Sequence, residues 1–191
     1  NEWLKRNDIN IPSVSIARQS KGIQDGLSLY NPNLLEDYSS ILPEKAPDNI
    51  FEKIGPNQGV NWHEYTLTRA EIDFFNRLDS LNINYKLIEA TWEARNDFVM
   101  FGRSWELKTP IIENDSAIKY LFWRITDQGK RNAVLDVTYF NKDLSWIFNK
   151  IKEHLETVRK GEYDEKGKPI TNNDLIDSIL VVRGKKIIRY K

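Results

Sequence analysis

Residues 96–110 read Asn-Asp-Phe-Val-Met-Phe-Gly-Arg-Ser-Trp-Glu-Leu-Lys-Thr-Pro. Two β-favouring runs, 97–101 and 104–109, flank Gly102-Arg103, which has the composition of a tight hairpin turn. A two-residue loop there pairs Phe101 with Ser104, sets Val99 opposite Glu106, and sets Asp97 opposite Lys108. Side chains alternate along a strand, so Asp97, Val99, Glu106 and Lys108 share one face. Phe98, Met100, Trp105 and Leu107 turn the other way, into a core. Two carboxylates that close repel each other unless a cation or a shared proton intervenes. A hard divalent cation with oxygen ligands resolves the repulsion, with Lys108 placed to orient a water. The plainer alternative is a solvated hairpin with an Asp97–Lys108 ion pair across its strands.

Upstream, residues 68–81 carry an apolar stripe of Phe74, Phe75, Leu78 and Leu81 at helical spacing. Thr68 and Glu71 have the spacing of a capping box. Glu71 also falls within the stripe, where a carboxylate needs a partner or a cation. It is therefore a candidate third acid, with Glu64, beside His63, as the alternative. Residues 84–91 alternate as a strand entering the hairpin.

Downstream, Pro110 stops the hairpin and Asn114-Asp115-Ser116 can cap a helix running to about Lys130. Its core stripe is Ile118, Leu121, Phe122 and Ile125. Tyr120, Arg124, Gln128 and Arg131 share an adjoining flank suited to phosphate and base contacts, or to plain solvation. Residues 132–138 form a short apolar run of buried-strand type. Residues 144–160 read as an amphipathic helix on which His154 is a surface or packing residue rather than a ligand, and 161–173 as a polar loop. Residues 176–182 read as a further strand and 185–190 as an edge strand guarded by charge. The resulting order is that of an α/β fold, a central mixed sheet covered by helices.

A chain of 191 residues with 40% hydrophobic and 12% aromatic content can bury a substantial core. It has no cysteine, which excludes disulfide scaffolds, thiolate metal sites and cysteine nucleophiles. His63 and His154 are its only histidines, too few for a histidine-rich metal centre. No apolar run reaches membrane-spanning length. The net charge is zero but uneven: residues 1–101 carry 10 basic against 15 acidic side chains, and residues 102–191 carry 18 against 13. The second half is the more suitable face for a polyanion. Residues 1–62 are interrupted by five prolines and read as an irregular lead-in that packs on, or joins, a domain spanning 63–191. The start at Asn1, without methionine, is expected of a segment cut from a longer protein.

A helix bearing Glu71, strands carrying Asp97 and Glu106-Leu107-Lys108, then a helix and a strand, resembles the PD-(D/E)XK nuclease superfamily. More narrowly, Asn96-Asp97-Phe98-Val99, Gly102 and Trp105 to Pro110 resemble the C-terminal tRNA-nuclease toxins of contact-dependent growth inhibition and related polymorphic toxins. Asn96 stands where such motifs usually carry proline. The resemblance implies a restriction-endonuclease-like core and hydrolysis of phosphodiester bonds, in tRNA, with Mg2+ or Mn2+. It implies Asp97 and Glu106 as metal ligands, Glu71 completing the shell, and Lys108 acting on the attacking water. Arg124, Gln128 and Arg131 would steady the nucleic acid. It further implies delivery by a secreted or cell-surface protein into a target-cell cytoplasm, and a cognate immunity protein as partner. The other readings are a metal-independent ribonuclease toxin of the barnase/EndoU/colicin/RelE group, a DNA nuclease, and a non-enzymatic binding module of a mobile element.

Overall fold

The computed structural model describes residues 26–54, 67–88, 97–111 and 115–191. The chain opens with β1 (Gly26–Leu29), a 3-10 turn (Pro32–Leu34) and α1 (Leu35–Ser39). A short antiparallel pair, β2 (Lys53–Ile54) and β3 (Leu67–Thr68), leads into α2 (Arg69–Ser80). Then come β4 (Tyr85–Leu87), β5 (Phe98–Met100), β6 (Arg103–Lys108), α3 (Asp115–Asp127) and β7 (Asn132–Asp136). The rest is α4 (Leu144–Leu155), β8 (Val158–Tyr163), β9 (Pro169–Thr171), α5 (Asn172–Leu175), β10 (Ser178–Arg183) and β11 (Lys186–Arg189).

Among the described residues, seven strands form one mixed sheet in the order β1-β11-β10-β7-β6-β5-β4. Its centre, β6-β7-β10, is parallel, and β4-β5-β6 is an antiparallel meander. The two crossovers, through α3 and through α4, advance along the sheet in the same direction and so place both helices on one face. That face collects Ile118, Phe122, Ile125, Ala133, Leu135, Ile147, Ile151, Ile179 and Val181. The opposite face receives α2, whose Phe74, Phe75 and Leu78 pack on Phe98, Trp105, Leu107, Val134 and Leu180. The fold is thus a three-layer α/β arrangement around a mixed sheet, and strand alternation separates the two cores.

Helix α2 starts as its sequence dictates. Thr68 Oγ1 accepts from Glu71 N at 3.2 Å, and Glu71 Oε2 accepts from Thr68 N at 2.7 Å. Its outer turn is tied to the sheet by an ion pair between Arg77 and the buried Asp136, which also accepts from Thr138 N and Oγ1. Arg183, 2% exposed, ends β10 by donating to the carbonyls of Ile41, Val137, Phe140 and Lys142 at 2.7–3.1 Å. Burial pulls its guanidinium down to about 10, so it stays charged at neutral pH.

Three expectations need correction. The turn of the central hairpin is Phe101-Gly102, not Gly102-Arg103: both have positive φ, 53° and 69°, the requirement of a type I′ turn. Phe101 tolerates that backbone because its ring is buried in the α2 core, and Trp105 Nε1 fixes the turn by donating to Met100 O at 2.8 Å. The helix expected over 144–160 stops at Leu155, the last buried position of its stripe, and residues 158–163 and 169–171 pair as a hairpin where a loop was expected. Strand β11 is not an edge. Gly26–Leu29, in the span read as lead-in, pairs with it in parallel and inserts Leu27 and Tyr30 toward the two cores.

Replacing Arg77 by methionine strands the Asp136 carboxylate, and removal of one partner of a buried pair costs about 3–5 kcal/mol. Urea unfolding should show a loss of that size. Arg77→Met with Asp136→Asn should recover most of it, because the amide oxygen still accepts from Thr138.

Candidate functional site

The hairpin register differs from the one the sequence suggested. Phe98 pairs with Trp105, Val99 with Ser104 and Met100 with Arg103, so Asp97, one residue before this ladder, is not set opposite Lys108. Asp97 N donates at 2.8 Å to the carbonyl of Trp105, the residue that Phe98 faces. Shifting the turn by one residue moves both strands together, so the shared face of Asp97, Val99, Glu106 and Lys108 survives. In the parallel pairing of β6 with β7, Glu106 stands beside Ala133 and Lys108 beside Leu135, both of the α3 and α4 core. The four residues therefore point to the α3 side of the sheet, while α2 covers the reverse.

The Glu106 carboxylate is 2% exposed and meets two lysines. Lys108 Nζ donates to Oε1 at 2.5 Å, and Lys130 Nζ donates to Oε2. Asp97 lies at the open rim, but one oxygen of its carboxylate turns inward and accepts from Leu107 N at 2.6 Å. Loss of solvation, and then the neighbouring charge of Glu106, push Asp97 up to about 6. The Leu107 N–H, Lys108 and Lys130 pull it the other way. The arrangement is a carboxylate pair with two ammonium groups against it, one buried and one reaching solvent.

Lys130 was not among the residues read from the sequence. The turn that ends α3 positions it: Gly129 adopts a φ of 66°, Lys130 N donates to Ile125 O at 2.8 Å, and Gly129 N donates to Thr126 O at 3.3 Å. These are the two bonds of a Schellman motif. Gly129 immediately after the helical stripe is its sequence signal, and the motif aims the next side chain back over the sheet.

Glu71 is not part of this constellation. Its carboxylate closes the capping box on the α2 layer, and α2 packs against the other face of the sheet. Glu64 and His63 lie outside the described residues. Among the described residues, no three His, Cys, Asp or Glu side chains are grouped to hold a metal ion. Asp97 and Glu106 alone offer a hard cation two carboxylates. That donor set fits Mg2+ or Mn2+ only with water or phosphate oxygens completing the shell, as magnesium sites commonly have.

On α3, Arg124 lies over the Tyr120 ring at 5.8 Å, and the Gln128 amide, oriented to satisfy both groups, accepts from Arg124 Nη1 at 2.8 Å. Strand β8 borders the other side of this helix, where Arg159 donates to Thr126 and Asp127. Arg124 and Gln128 thus occupy the side that the strand order turns toward β5 and β6. Arg131 instead forms a bidentate pair with Asp177, both bonds 2.8 Å, which neutralises it. His154 stacks on Phe122, ring centroids 5.4 Å apart, and burial lowers its pKa.

Comparison with family models and with curated proteins finds no match. Among solved structures, the chain is similar to a CdiA-CT/CdiI toxin and immunity complex from Burkholderia pseudomallei. The match covers 64% of this chain and 85% of that one, at 14% identity and a TM-score of 0.44. At that identity and score the likeness supports no inference about activity.

The Asp97 shift makes a signed prediction. A carboxyl whose folded pKa exceeds its unfolded value of about 3.9 takes up a proton on folding between the two values. Its contribution to stability therefore falls as pH rises from about 4 to about 6, and is fully unfavourable above that window. Asp97→Asn, whose amide oxygen still accepts from Leu107 N, should flatten this part of the profile. Urea midpoints of both proteins measured across the window would show it.

Proposed function

We propose that the chain is a divalent-metal-dependent phosphodiester hydrolase acting on RNA, with tRNA as its substrate. The observation that carries this reading is the convergence of Asp97, Glu106, Lys108 and Lys130 beside one face of the β5–β6 hairpin, with Asp97 and Lys108 reaching solvent. Asp97 and Glu106 would hold the cation, their mutual repulsion relieved by it. A cation held there supplies Lewis acidity at a phosphoryl oxygen and a more acidic water. Lys108, one quarter exposed, can leave Glu106 to orient the attacking water and meet negative charge developing on the phosphate. Lys130 stays buried and keeps Glu106 paired and aimed when Lys108 moves. It is a positioning residue.

The motif resemblance at residues 96–110 supports the choice of tRNA, delivery as a growth-inhibiting toxin, and an immunity protein as partner. Arg124 and Gln128, on the side of α3 facing the hairpin, suit contact with the RNA backbone. Glu71 takes no part in this mechanism. Two carboxylates suffice when phosphate and water oxygens complete the shell.

The test is a gel assay of the purified chain on total tRNA and on plasmid DNA, with Mg2+, with Mn2+ and with chelator. Cleavage of tRNA should vanish with chelator. Glu106→Gln and Lys108→Met should each lower the rate by about 10²–10³-fold, the range for loss of one electrostatic stabiliser. Glu71→Gln should keep activity and cost only a capping contribution of about 1 kcal/mol in stability. Cleavage that survives chelator would move the assignment to the metal-independent ribonucleases, and cleavage of plasmid alone to a DNA nuclease.

A further inference from the structure

The outer surface of α3 carries two large aromatic side chains that the site above does not use. Ile118, Phe122 and Ile125 face the core, so Tyr120 and Trp123 face outward, 53% and 51% exposed. Their rings lie 5.5 Å apart at 32° to each other, a paired surface rather than two isolated side chains. Burying either against the protein would have been favourable, so their exposure calls for an occupant.

The surrounding charge selects one. Arg124 lies against the Tyr120 ring from one side. On the other, Trp123 lines an open cavity of about 360 Å³ shared with Lys119, Arg159 and Lys160. The acids nearby, Asp127 and Glu162, are both engaged by Arg159. Lys119 and Lys160 are exposed and make no ion pair among the described residues. Flat aromatic faces interleaved with uncommitted ammonium groups suit a chain that alternates bases with phosphates.

We infer that Tyr120 and Trp123 form a stacking platform for unpaired bases of RNA, with Lys119 and Lys160 meeting the adjoining phosphates. The inference rests on the ribonuclease reading and gives it a substrate feature. Trp123 stands seven residues before Lys130, about 10 Å along the helix at 1.5 Å per residue. A single-stranded loop could therefore lie on the platform while a neighbouring phosphate reaches the hairpin. A duplex, whose bases are stacked on one another, offers the platform nothing.

The experiment measures binding without cleavage, in chelator. Fluorescein-labelled oligouridine and a blunt RNA duplex are titrated with the intact chain, following anisotropy and tryptophan fluorescence. Oligouridine should bind and quench tryptophan emission, and the duplex should bind less tightly and leave emission unchanged. Trp123→Ala should weaken oligouridine about tenfold, the scale of one lost base stack. Trp123→Phe should restore most of the affinity but not the quenching. Lys119→Gln should reduce the slope of log affinity against log salt by about one. Unchanged melting temperatures of the variants would show that the fold is intact.

Oligouridine affinity and quenching that are indifferent to Trp123, or an absence of oligouridine binding, would overturn the platform. The first outcome would leave the aromatic pair to a protein partner. Weakened binding in Trp123→Ala together with no metal-dependent cleavage by the parent chain would remove the nuclease reading and keep the platform.

Discussion

A buried carboxylate is expensive unless its charge is met, and the site depends on how Glu106 is met. Each of its oxygens is claimed by a different lysine, one from its own strand and one from the turn that ends α3. Truncating a single partner of such a group leaves a desolvated charge behind. The two lysines differ in what else they can do. Lys130 is buried with the acid it serves, whereas Lys108 reaches solvent and can exchange Glu106 for another anion. An enclosed ion pair and a solvent-reaching one are thereby joined on the same carboxylate.

Asp97 completes the arrangement from the neighbouring strand. Its carboxylate is held inward by a main-chain N–H and is disfavoured as an anion by loss of solvation and then by the neighbouring Glu106. Perturbed carboxyls with a named charge partner are typical of sites that bind cations or move protons. The fold supports the pair from beneath: Phe98, Trp105 and Leu107 are clamped against α2, so the alternate side chains cannot turn away without breaking that core.

Much of this was legible in residues 96–110, for a reason that outlasts an error. The turn was placed one residue late, yet the common face of Asp97, Glu106 and Lys108 depends only on alternation, which a concerted shift of both strands preserves. What alternation could not show was Phe101 at positive φ, because burial of a ring overrode the usual preference for glycine. Lys130 was hidden for a different reason: its role depends on the three-dimensional approach of α3 to β6, and only Gly129 hinted at it. The capping-box spacing of Thr68 and Glu71 correctly described the start of α2, and the geometry of that box is what keeps Glu71 from the hairpin acids. Strand β1 was missed because proline-rich flanks masked four residues that pair with the far end of the chain. No local pattern encodes such a pairing.

That last pairing shapes how the protein can be made. Gly26 lies opposite Lys186, so the loop that β1 closes takes in most of the chain and is among the last contacts able to form. Until it forms, β11 presents an open row of N–H and C=O groups with Ile187 and Ile188 behind them. Every molecule emerging N-terminus first carries its own strand to cover that row, ready before the row exists. A molecule shortened to begin after β1 would keep the hairpin acids and lose this cover, leaving β11 as an edge that can take strands from its neighbours.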